Sequence, residues 1–174
     1  MADELLDVVN NLDEVTGQEM RSVVHQQGLQ HRGVHVFLFN EQGEMLIQKR
    51  SADRANSPSL WDCSVSEHVK AEESYLEAAM RGLREEMGVE GIEISLRGKI
   101  QMEYGRNDNE ISEIYEGELN GKQVNFDPGE IAEVKFVSLE KIRVDIVEKK
   151  GLYCYWFIEL MHWYFGQAAE LKEM

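Results

Sequence analysis

The sequence is poor in the residues that mark several classes of protein. It has two prolines and two cysteines in 174 residues, and Cys63 and Cys154 lie far apart without a CxxC pair or a secretory segment. Neither a disulfide framework nor a zinc knuckle is indicated, so we expect a reducing, cytoplasmic location. The longest apolar stretch, 152–165, is interrupted by Glu159 and His162 and is too short to span a bilayer. No membrane segment is expected.

Positive charge is scarce as well. Lys and Arg number 18 against 33 Asp and Glu, which gives a net charge of −15 and a pI of about 4.7. Repulsion disfavours binding to nucleic-acid backbones and anionic lipids, whereas cations and small ligands are suitable partners. The chain has 43% hydrophobic residues and no linker, repeat or low-complexity block. Residues 1–174 are therefore predicted to form one domain with a substantial core.

The apolar and polar patterns predict a mixed α/β chain. An N-terminal extension, residues 1–30, combines a strand at 5–9 with a helix. Gly43 lies in a polar turn between strands predicted at 34–39 and 45–50, which should pair as an antiparallel hairpin. The strand at 61–68 is expected to lead directly into a helix. The remaining predictions are a loop at 51–59, strands at 92–104, 111–119 and 131–137, and helices at 138–149 and 152–171.

A helix between Ser74 and Gly88 is the best-defined element. Ser74 and Glu77 have the spacing of a capping box, and Gly88 is typical of a helix end. One apolar stripe is predicted to pack against the rest of the chain, formed by Leu76, Ala79, Met80, Leu83 and Met87.

A second flank of this helix carries acidic residues. At 100° per residue, Glu85 and Glu86 fall on the same side as Gly82, away from the apolar stripe. Neighbouring carboxylates repel each other unless they are solvated or neutralised, and a hard divalent cation is a suitable neutraliser. A solvated acidic surface is the alternative interpretation.

The spacing of residues in segment 67–89 resembles the signature of the Nudix hydrolases, in which a glutamate is followed after seven residues by R-E-U-x-E-E-x-G-U, with U apolar. The matching positions are Glu73, Arg81, Leu83, Glu85, Glu86, Gly88 and Val89. The hairpin and the later strands also fit, so the resemblance covers nearly the whole chain. It implies an α/β/α sandwich with a mixed sheet and a loop-helix-loop metal motif. The implied enzyme uses Mg²⁺ or Mn²⁺ to cleave a diphosphate linked to another moiety.

The resemblance also implies roles for individual residues. Glu85 and Glu86 would be metal ligands at the catalytic centre, Arg81 would orient carboxylates there, and Glu73 would support the site from behind. As an alternative, Arg81 could simply pair with Glu77 or Glu85 at helical spacing.

Two positions depart from the family signature. Glu67 stands where the family has its first glycine, and Gly82 replaces the first glutamate of the R-E-U-x-E-E run. One hypothesis is that the two changes compensate, with Glu67 placing a carboxylate and metal ligand in the space that Gly82 leaves. The other is drift in a protein that has lost catalysis. Helix propensity does not explain Gly82, since glycine costs about 0.5 to 1 kcal/mol relative to alanine within a helix.

Residues 25–40, together with Arg50 and Trp61, resemble the branch of Nudix proteins similar to isopentenyl-diphosphate isomerase. In that branch His68 falls on a metal-binding histidine and Glu113 on a glutamate of a later strand. His25 and His31 are either relics of a metal site or ordinary surface or hydrogen-bonded histidines.

The same resemblance aligns Arg50 and Arg54 with basic residues that hold the diphosphate. Substrate recognition is expected in segment 102–110 and around Trp156 and Trp163. If one face of this aromatic C-terminal segment is exposed, it could pack against a second copy and form a homodimer.

Ser66 occupies the place of the isomerase's catalytic cysteine. A serine hydroxyl is a poorer proton donor or acceptor than a thiol, whose pKa is about 8.5. Cys63 is expected on the opposite strand face, buried as a small apolar residue. The predicted function is therefore a metal-dependent pyrophosphohydrolase. The alternatives are isopentenyl-diphosphate isomerase and a catalytically silent module that binds a diphosphate or nucleotide.

Overall fold

Ten strands and four α-helices lie within residues 3–103, 105 and 107–174, which the computed structural model describes. In chain order they are β1 (Leu5–Val9), β2 (Val15–Met20), α1 (Arg21–Gln27), β3 (Gln30–Phe39), β4 (Met45–Arg50), β5 (Trp61–Asp62), β6 (Val65–His68), α2 (Tyr75–Met87), β7 (Ile94–Glu103), β8 (Asn109–Glu118), β9 (Ile131–Val137), α3 (Leu139–Glu148), α4 (Tyr155–Tyr164) and β10 (Lys172–Glu173). Among the helices of the described residues, none has the length and apolar character needed to cross a membrane.

β3 is the central strand of a mixed sheet. It runs parallel to β8 from Gln30 beside Asn109 to Phe39 beside Glu118. Different parts of β3 also pair antiparallel with β1, β4 and β6. The sheet extends through β7 to β10 on one side, through β1 to β2 on the other, and from β4 to β5 and β9. β3 thus joins β6 and β8, two of the strands that line the site described below.

Side chains alternate along β3 between two hydrophobic cores. Val34 and Val36 belong to the core that contains Leu83 of α2. Phe37 belongs to the core that contains Ile146 of α3 and Phe157 of α4. Helices therefore cover both faces of the sheet, which confirms the predicted α/β/α sandwich with a mixed sheet.

Most of the predicted elements are present. The loop 51–59 and strand 131–137 are confirmed, and Gly43 turns the β3–β4 hairpin with a φ of +72°. The predicted C-terminal helix is shorter than expected, because a turn of 3₁₀-helix precedes it and Gly166, at φ +68°, follows its end. The strand predicted at 92–104 is described as far as Glu103, and Tyr104 lies outside the described residues.

The predicted continuous strand at 61–68 is wrong. It is divided into β5, which pairs with β4, and β6, which pairs with β3. The physical reason is Ser64, whose hydroxyl accepts a hydrogen bond from Leu38 N at 2.9 Å and donates one to the carbonyl of Leu46 at 2.5 Å. These bonds replace the ladder at this point. A loop, 69–74, also separates β6 from α2, so the expected direct connection is wrong too.

Local sequence signals determine the ends of α2. The capping box between Ser74 and Glu77 is present, and Gly88 ends the helix at a φ of +62°. The predicted apolar stripe is only partly right, because Leu76 is 48% exposed. The packed face is rotated towards Tyr75, Ala78 and Gly82, since α2 lies over β6 and β3 with that side.

Asp13 ties the N-terminal hairpin to the rest of the chain. It lies in the turn between β1 and β2 at a φ of +63°. Its carboxylate accepts hydrogen bonds from Arg32 of β3 at 2.6 Å, from Lys99 of β7, and from the hydroxyl of Tyr75 at 3.1 Å. Three separate elements therefore converge on one anion, and this fixes the segment that carries α1.

Replacing Asp13 should destabilise the chain in a pH-dependent way. We expect Asp13→Asn to lower the free energy of unfolding at neutral pH by about 1–3 kcal/mol, because two cations lose their shared partner. Burial opposes ionisation of Asp13, but Lys99 and Arg32 hold its pKa below the usual 3.8. A depressed folded-state pKa stabilises the protein above the unfolded-state value, and this stabilisation is lost as the pH falls through the folded-state value.

Urea unfolding of wild type and Asp13→Asn at neutral and acidic pH measures this effect. The difference between the two proteins should shrink at a pH below about 4. Asp53→Asn, at an exposed position, is the matched control. An equal difference at both pH values would contradict the role given to the Asp13 charge.

Candidate functional site

A cavity of about 250 Å³ lies where β6 meets α1, α2, β3 and the start of β8. Its described walls are almost entirely charged or polar, with eight carboxylates, four arginines and three histidines. The residues are Glu4, Arg21, His25, His35, Arg50, Arg54, Asn56, Ser66, Glu67, His68, Arg81, Glu85, Glu86, Asp108, Glu110, Asp127, Glu130 and Trp156. Seven of the predicted site residues line this cavity, namely Arg50, Arg54, Glu67, His68, Arg81, Glu85 and Glu86, whereas Glu73 does not.

Three histidines from three elements meet at one side of the cavity. His25 comes from α1, His31 from β3 and His68 from β6. The Nε2 atoms of His25 and His68 are 3.2 Å apart, and the ring centroids of the three are separated by 5.0 to 5.2 Å. One nitrogen of each lies within 4.8 Å of the others, so the three could hold one metal ion. The contact between His25 and His68 also fits the alternative of ordinary hydrogen-bonded histidines.

Two carboxylates at the start of β8 extend the histidine cluster. Glu110 Oε1 lies 3.4 Å from His31 Nε2 and 3.6 Å from His68 Nε2, and Asp108 Oδ1 lies 3.3 Å from His25 Nδ1. Within the described ranges, the buried atoms His31 Nε2 and Asp108 Oδ1 have no hydrogen-bond partner. Imidazole and carboxylate donors together suit a divalent first-row metal. The donor set therefore fits a metal, and we name these five residues the histidine–acid cluster.

Protonation of the cluster differs between its histidines. Burial lowers the pKa of His68 well below 6.5, so its imidazole is neutral and offers a lone pair. Burial also opposes protonation of His31, but the adjacent Glu110 carboxylate outweighs it and raises the pKa of His31. A metal ion at His31 would therefore compete with a proton.

Glu113 does not join this cluster. It accepts hydrogen bonds from the hydroxyl of Tyr115 and, at 3.4 Å, from Lys99 Nζ. Glu110 and Glu113 are three positions apart on β8, so their side chains point to opposite faces of the sheet. The sequence interpretation chose the wrong register. The D-x-E spacing of Asp108 and Glu110 directly before the apolar part of the strand was the signal for the right one.

Gly33 makes room for the Glu110 carboxylate. A Cβ at Gly33 would lie 2.1 Å from Glu110 Oε2 and 2.9 Å from the hydroxyl of Ser112. Ser112 donates a hydrogen bond to the same carboxylate at 3.0 Å. The glycine and the serine together fix the orientation of Glu110 towards the histidines.

Arg81 organises the opposite side of the cavity. Its guanidinium binds both oxygens of Glu73, at 2.9 and 3.0 Å, donates to the carbonyl of His68 at 2.8 Å, and pairs with Glu67. Glu85 lies farther away, at 3.6 Å, and its side chain is 53% exposed at the rim of the cavity. The main partners of Arg81 are thus Glu67 and Glu73, whereas the alternative interpretation paired it with Glu77 or Glu85.

Glu86 is the buried acid of α2. Gln48 donates a hydrogen bond to its Oε2 at 3.0 Å, while Oε1 is buried and has no partner among the described residues. Burial and the charge of Glu67 raise the pKa of Glu86 well above 4.5, and burial raises the pKa of Glu67 despite Arg81. Two neighbouring carboxylates that resist full ionisation are suitable ligands for a divalent cation with oxygen coordination.

Gly82 lies directly beneath the side chain of Glu67. A Cβ at Gly82 would be 2.5 Å from Val65 Cγ1 and 3.1 Å from Glu67 Cγ. A larger side chain at position 82 therefore has no space while β6 and Glu67 stay in place. The stem of Glu67 occupies the room beside the helix.

The two arginines predicted to bind a diphosphate both reach the cavity. Arg50 donates to the Asp62 carboxylate at 3.3 Å and to the Asn56 carbonyl at 3.2 Å. Arg54 Nη1 is 3.1 Å from Glu130 Oε1 but lacks hydrogen-bond geometry, so this buried N–H is unsatisfied within the described part of the chain. Arg21 of α1 also lines the cavity, although no pattern in the sequence singled it out.

Ser66 and Cys63 were expected on opposite faces of one strand, and this expectation is wrong. Ser66 Oγ is 3.2 Å and Cys63 Sγ is 3.8 Å from His35 Nδ1. The interruption between β5 and β6 changes the alternation, which brings both side chains to one imidazole. Cys63 is fully buried, as predicted, and burial raises the pKa of its thiol well above the usual value.

Comparison with known proteins identifies the class to which this fold and site belong. The NUDIX domain model matches residues 29–157. The chain belongs to the Nudix family.

Individual relatives include isomerases and hydrolases by name. The chain is 31% identical over 160 residues to isopentenyl-diphosphate Delta-isomerase 1 of Aromatoleum aromaticum, covering 90% of this chain and 89% of that one. An uncharacterized Nudix hydrolase of Streptomyces coelicolor is 38% identical over 91 residues, with 52% of this chain and 50% of that protein covered. The crystal structure of DR0079 from Deinococcus radiodurans has a TM-score of 0.71 and 28% identity, covering 84% and 90% of the two chains. The predicted resemblance, including its isomerase-like branch, is confirmed.

The histidine–acid cluster should bind a transition metal through His68. We expect Mn²⁺ to raise the thermal unfolding temperature of wild type, because an ion that binds only the folded state stabilises it. In His68→Gln the affinity for Mn²⁺ should fall by about 100-fold, since one of the nitrogen donors is lost. Calorimetric titration with Mn²⁺ measures the affinity.

His162→Gln is the matched control, because His162 lies on α4 away from the cavity and contacts Glu159. It should bind Mn²⁺ like wild type. Unchanged affinity in His68→Gln would rule out the cluster as the binding site.

Proposed function

We propose that this chain is a divalent-metal-dependent pyrophosphohydrolase that cleaves a small molecule containing a diphosphate. The observation that carries the proposal is the buried Glu86, with an unpartnered Oε1, in the same polar cavity as Glu67 and Arg54. A divalent cation would neutralise carboxylates that resist ionisation, and an anion would accept a hydrogen bond from the unsatisfied guanidinium N–H. A metal–diphosphate complex supplies both.

Glu86, Glu67 and Glu85 would hold Mg²⁺ or Mn²⁺. When bound, such a cation screens the charge of the diphosphate and polarises the bond that breaks. Gln48 fixes one oxygen of Glu86 and leaves the other without a partner among the described residues. Arg81 would act at the catalytic centre by orienting Glu67, and Glu73 holds the guanidinium of Arg81 from behind.

The arginines would bind the diphosphate and exclude other orientations of it. Arg50 is held by Asp62, so its direction is fixed before a ligand arrives. Arg54 would exchange its contact with Glu130 for a phosphate oxygen, which offers better hydrogen-bond geometry. The net charge of −15 favours such local capture of a small anion with its metal over binding to nucleic-acid backbone.

Glu67 and Gly82 would be a compensating pair. What supports this is the geometry at position 82, where a Cβ would collide with Val65 and approach Glu67. A carboxylate from β6 would then take the place of the one that the family signature provides from the helix. The charge of the metal site would be retained although its source in the sequence differs.

Isopentenyl-diphosphate isomerase is the second candidate. It is favoured by the name of the Aromatoleum relative and by the histidine–acid cluster, which would hold a metal in either enzyme. Ser66 opposes it, because a hydroxyl transfers protons poorly near neutral pH. The two candidates differ in product, so one assay separates them.

Loss of the Glu86 charge should abolish hydrolysis. With MgCl₂, wild type is expected to cleave at least one member of a panel of nucleoside, sugar and isoprenoid diphosphates. Glu86→Gln should be slower by about 100-fold or more, because a ligand of the cation is lost. Phosphorus NMR follows both the loss of diphosphate and any isomerised product. Glu90→Gln, at an exposed position just beyond α2, is the matched control.

Three outcomes are informative. Cleavage that persists in Glu86→Gln would refute the site, and isomerisation of isopentenyl diphosphate without cleavage would favour the second candidate. Binding without turnover across the panel would identify a silent binding module.

The compensating pair predicts non-additive effects. Glu67→Gly should weaken Mg²⁺-dependent turnover by about tenfold or more, and Gly82→Glu should lower the unfolding temperature because of the contacts with Val65 and Glu67. The double variant should recover more activity and stability than either single change, since the new glutamate enters the space that Glu67 vacates. Turnover, Mg²⁺ titration and thermal unfolding are the measurements.

Gly17→Glu is the control for a new glutamate at a glycine, because nothing lies within 4 Å of a Cβ there. If neither single change in the pair alters metal binding or turnover, the compensation hypothesis is wrong.

A further inference from the structure

Two side chains in the cavity form a hydrogen-bonded pair that the proposed metal and diphosphate sites do not use. Ser66 of β6 lies opposite His35 of β3 in the antiparallel ladder, and Ser66 Oγ is 3.2 Å from His35 Nδ1. Both side chains line the cavity, yet His35 is only 3% exposed. The imidazole is therefore held firmly, and it holds the serine hydroxyl in turn.

This pair lies beside the histidine–acid cluster on the same face of the sheet. His31 and His35 are four positions apart on β3, and Ser66 and His68 are two positions apart on β6, so the members of each pair share one face. At a rise of about 3.3 Å per residue, the pair is roughly 7 Å along the strands from His68. Ser66 and His35 line the same cavity as Arg50 and Arg54, so a ligand whose diphosphate these arginines held could place its next atoms against the pair.

The same end of the cavity contains the indole of Trp156. Its N–H donates to both oxygens of Asp62, at 2.9 and 3.0 Å, and the next residue, Cys63, contacts His35. Arg50 lies over the indole ring, with the guanidinium carbon 5.3 Å from the ring centroid. The aromatic face is thus shared with a cation and does not form an apolar wall.

The hydrogen-bonding capacity of Ser66 selects the ligand. A hydroxyl has one donor and two lone pairs, and among the residues that the structure describes its side chain hydrogen-bonds only to His35. Cys63 already donates its thiol proton to the carbonyl of Val65 at 3.1 Å. An alkyl group against this wall would remove water from Ser66 without replacing its hydrogen bonds, whereas a hydroxyl group would replace them.

We infer that Ser66, positioned by His35, is the contact for a hydroxyl group on the organic part of the substrate. The substrate class is then hydroxylated diphosphates, such as those that carry a sugar, and not isoprenoid diphosphates. The inference rests on the proposed function, because it takes the diphosphate to bind beside the metal ligands.

A matched pair of probes tests this inference. Dimethylallyl diphosphate and the derivative with one hydroxyl on a methyl group differ only in that hydroxyl, and methylenediphosphonate reports on the diphosphate site alone. In calorimetric titrations with Mg²⁺, wild type should bind the hydroxylated probe about tenfold more tightly than the other. Ser66→Ala should remove this preference. Ser95→Ala, at an exposed serine outside the cavity, should keep it.

The role of His35 is tested through the same preference. His35→Asn retains an N–H close to the position of Nδ1 and should keep most of the preference, whereas His35→Leu should lose it. The double variant Ser66→Ala/His35→Leu should lose no more than Ser66→Ala alone, because one interaction is removed in both. A purely structural role for His35 would weaken binding of all three probes equally.

Equal or tighter binding of the unhydroxylated probe to wild type would overturn the inference, as would a preference that survives in Ser66→Ala. If methylenediphosphonate binds with Mg²⁺ but the preference is absent, only this inference fails. If methylenediphosphonate does not bind, the proposed function fails and the inference fails with it.

Discussion

The buried guanidinium of Arg81 is the interaction on which the site depends. It joins Glu67 of β6, Glu73 of the following loop and the main-chain carbonyl of His68 to helix α2. Without this cation the surrounding acids would repel each other in a chain that is already strongly acidic. Because the bond to His68 fixes the backbone beside its imidazole, Arg81 also connects the acids of α2 to the histidine–acid cluster. Arg81 therefore links the acidic side of the cavity to the side that carries the histidine–acid cluster.

The central strand β3 is subject to a second constraint, because it contributes side chains both to the hydrophobic core and to the cavity. Val34 and Val36 fill the core beneath α2, whereas His31 and His35 on the other face approach the cavity. Gly33, between the two histidines, has no side chain, and this leaves space for Glu110 of the parallel neighbour β8. Strand alternation thus places polar groups of the site next to a fully packed core without disturbing it.

Prediction from the sequence succeeded where the determining contacts are local. The capping box at Ser74 and the left-handed Gly88 fix α2 through residues only a few positions apart.

The histidine–acid cluster depends instead on α1, β3, β6 and β8 meeting in space, so only His68 was assigned to it by resemblance. Glu113 was chosen over Glu110 because a strand's register against a distant neighbour cannot be read from its own alternation. The break at Ser64 depends on two main-chain partners in other strands, Leu38 and Leu46, and had no local signal.

The contacts around Glu67 and Gly82 bear on the choice between drift and compensation as explanations for the two departures from the family signature. Drift after loss of catalysis predicts no particular relation between two changed positions, and a vacated helix position would tend to leave space. At Gly82 the space is filled, because Val65 and the stem of Glu67 lie against the glycine. The carboxylate of Glu67 is held by Arg81, and its charge is felt by Glu86. On the compensation that we propose, Glu67 would supply from β6 the acid that the helix lacks at position 82, and the charge of the site would be retained.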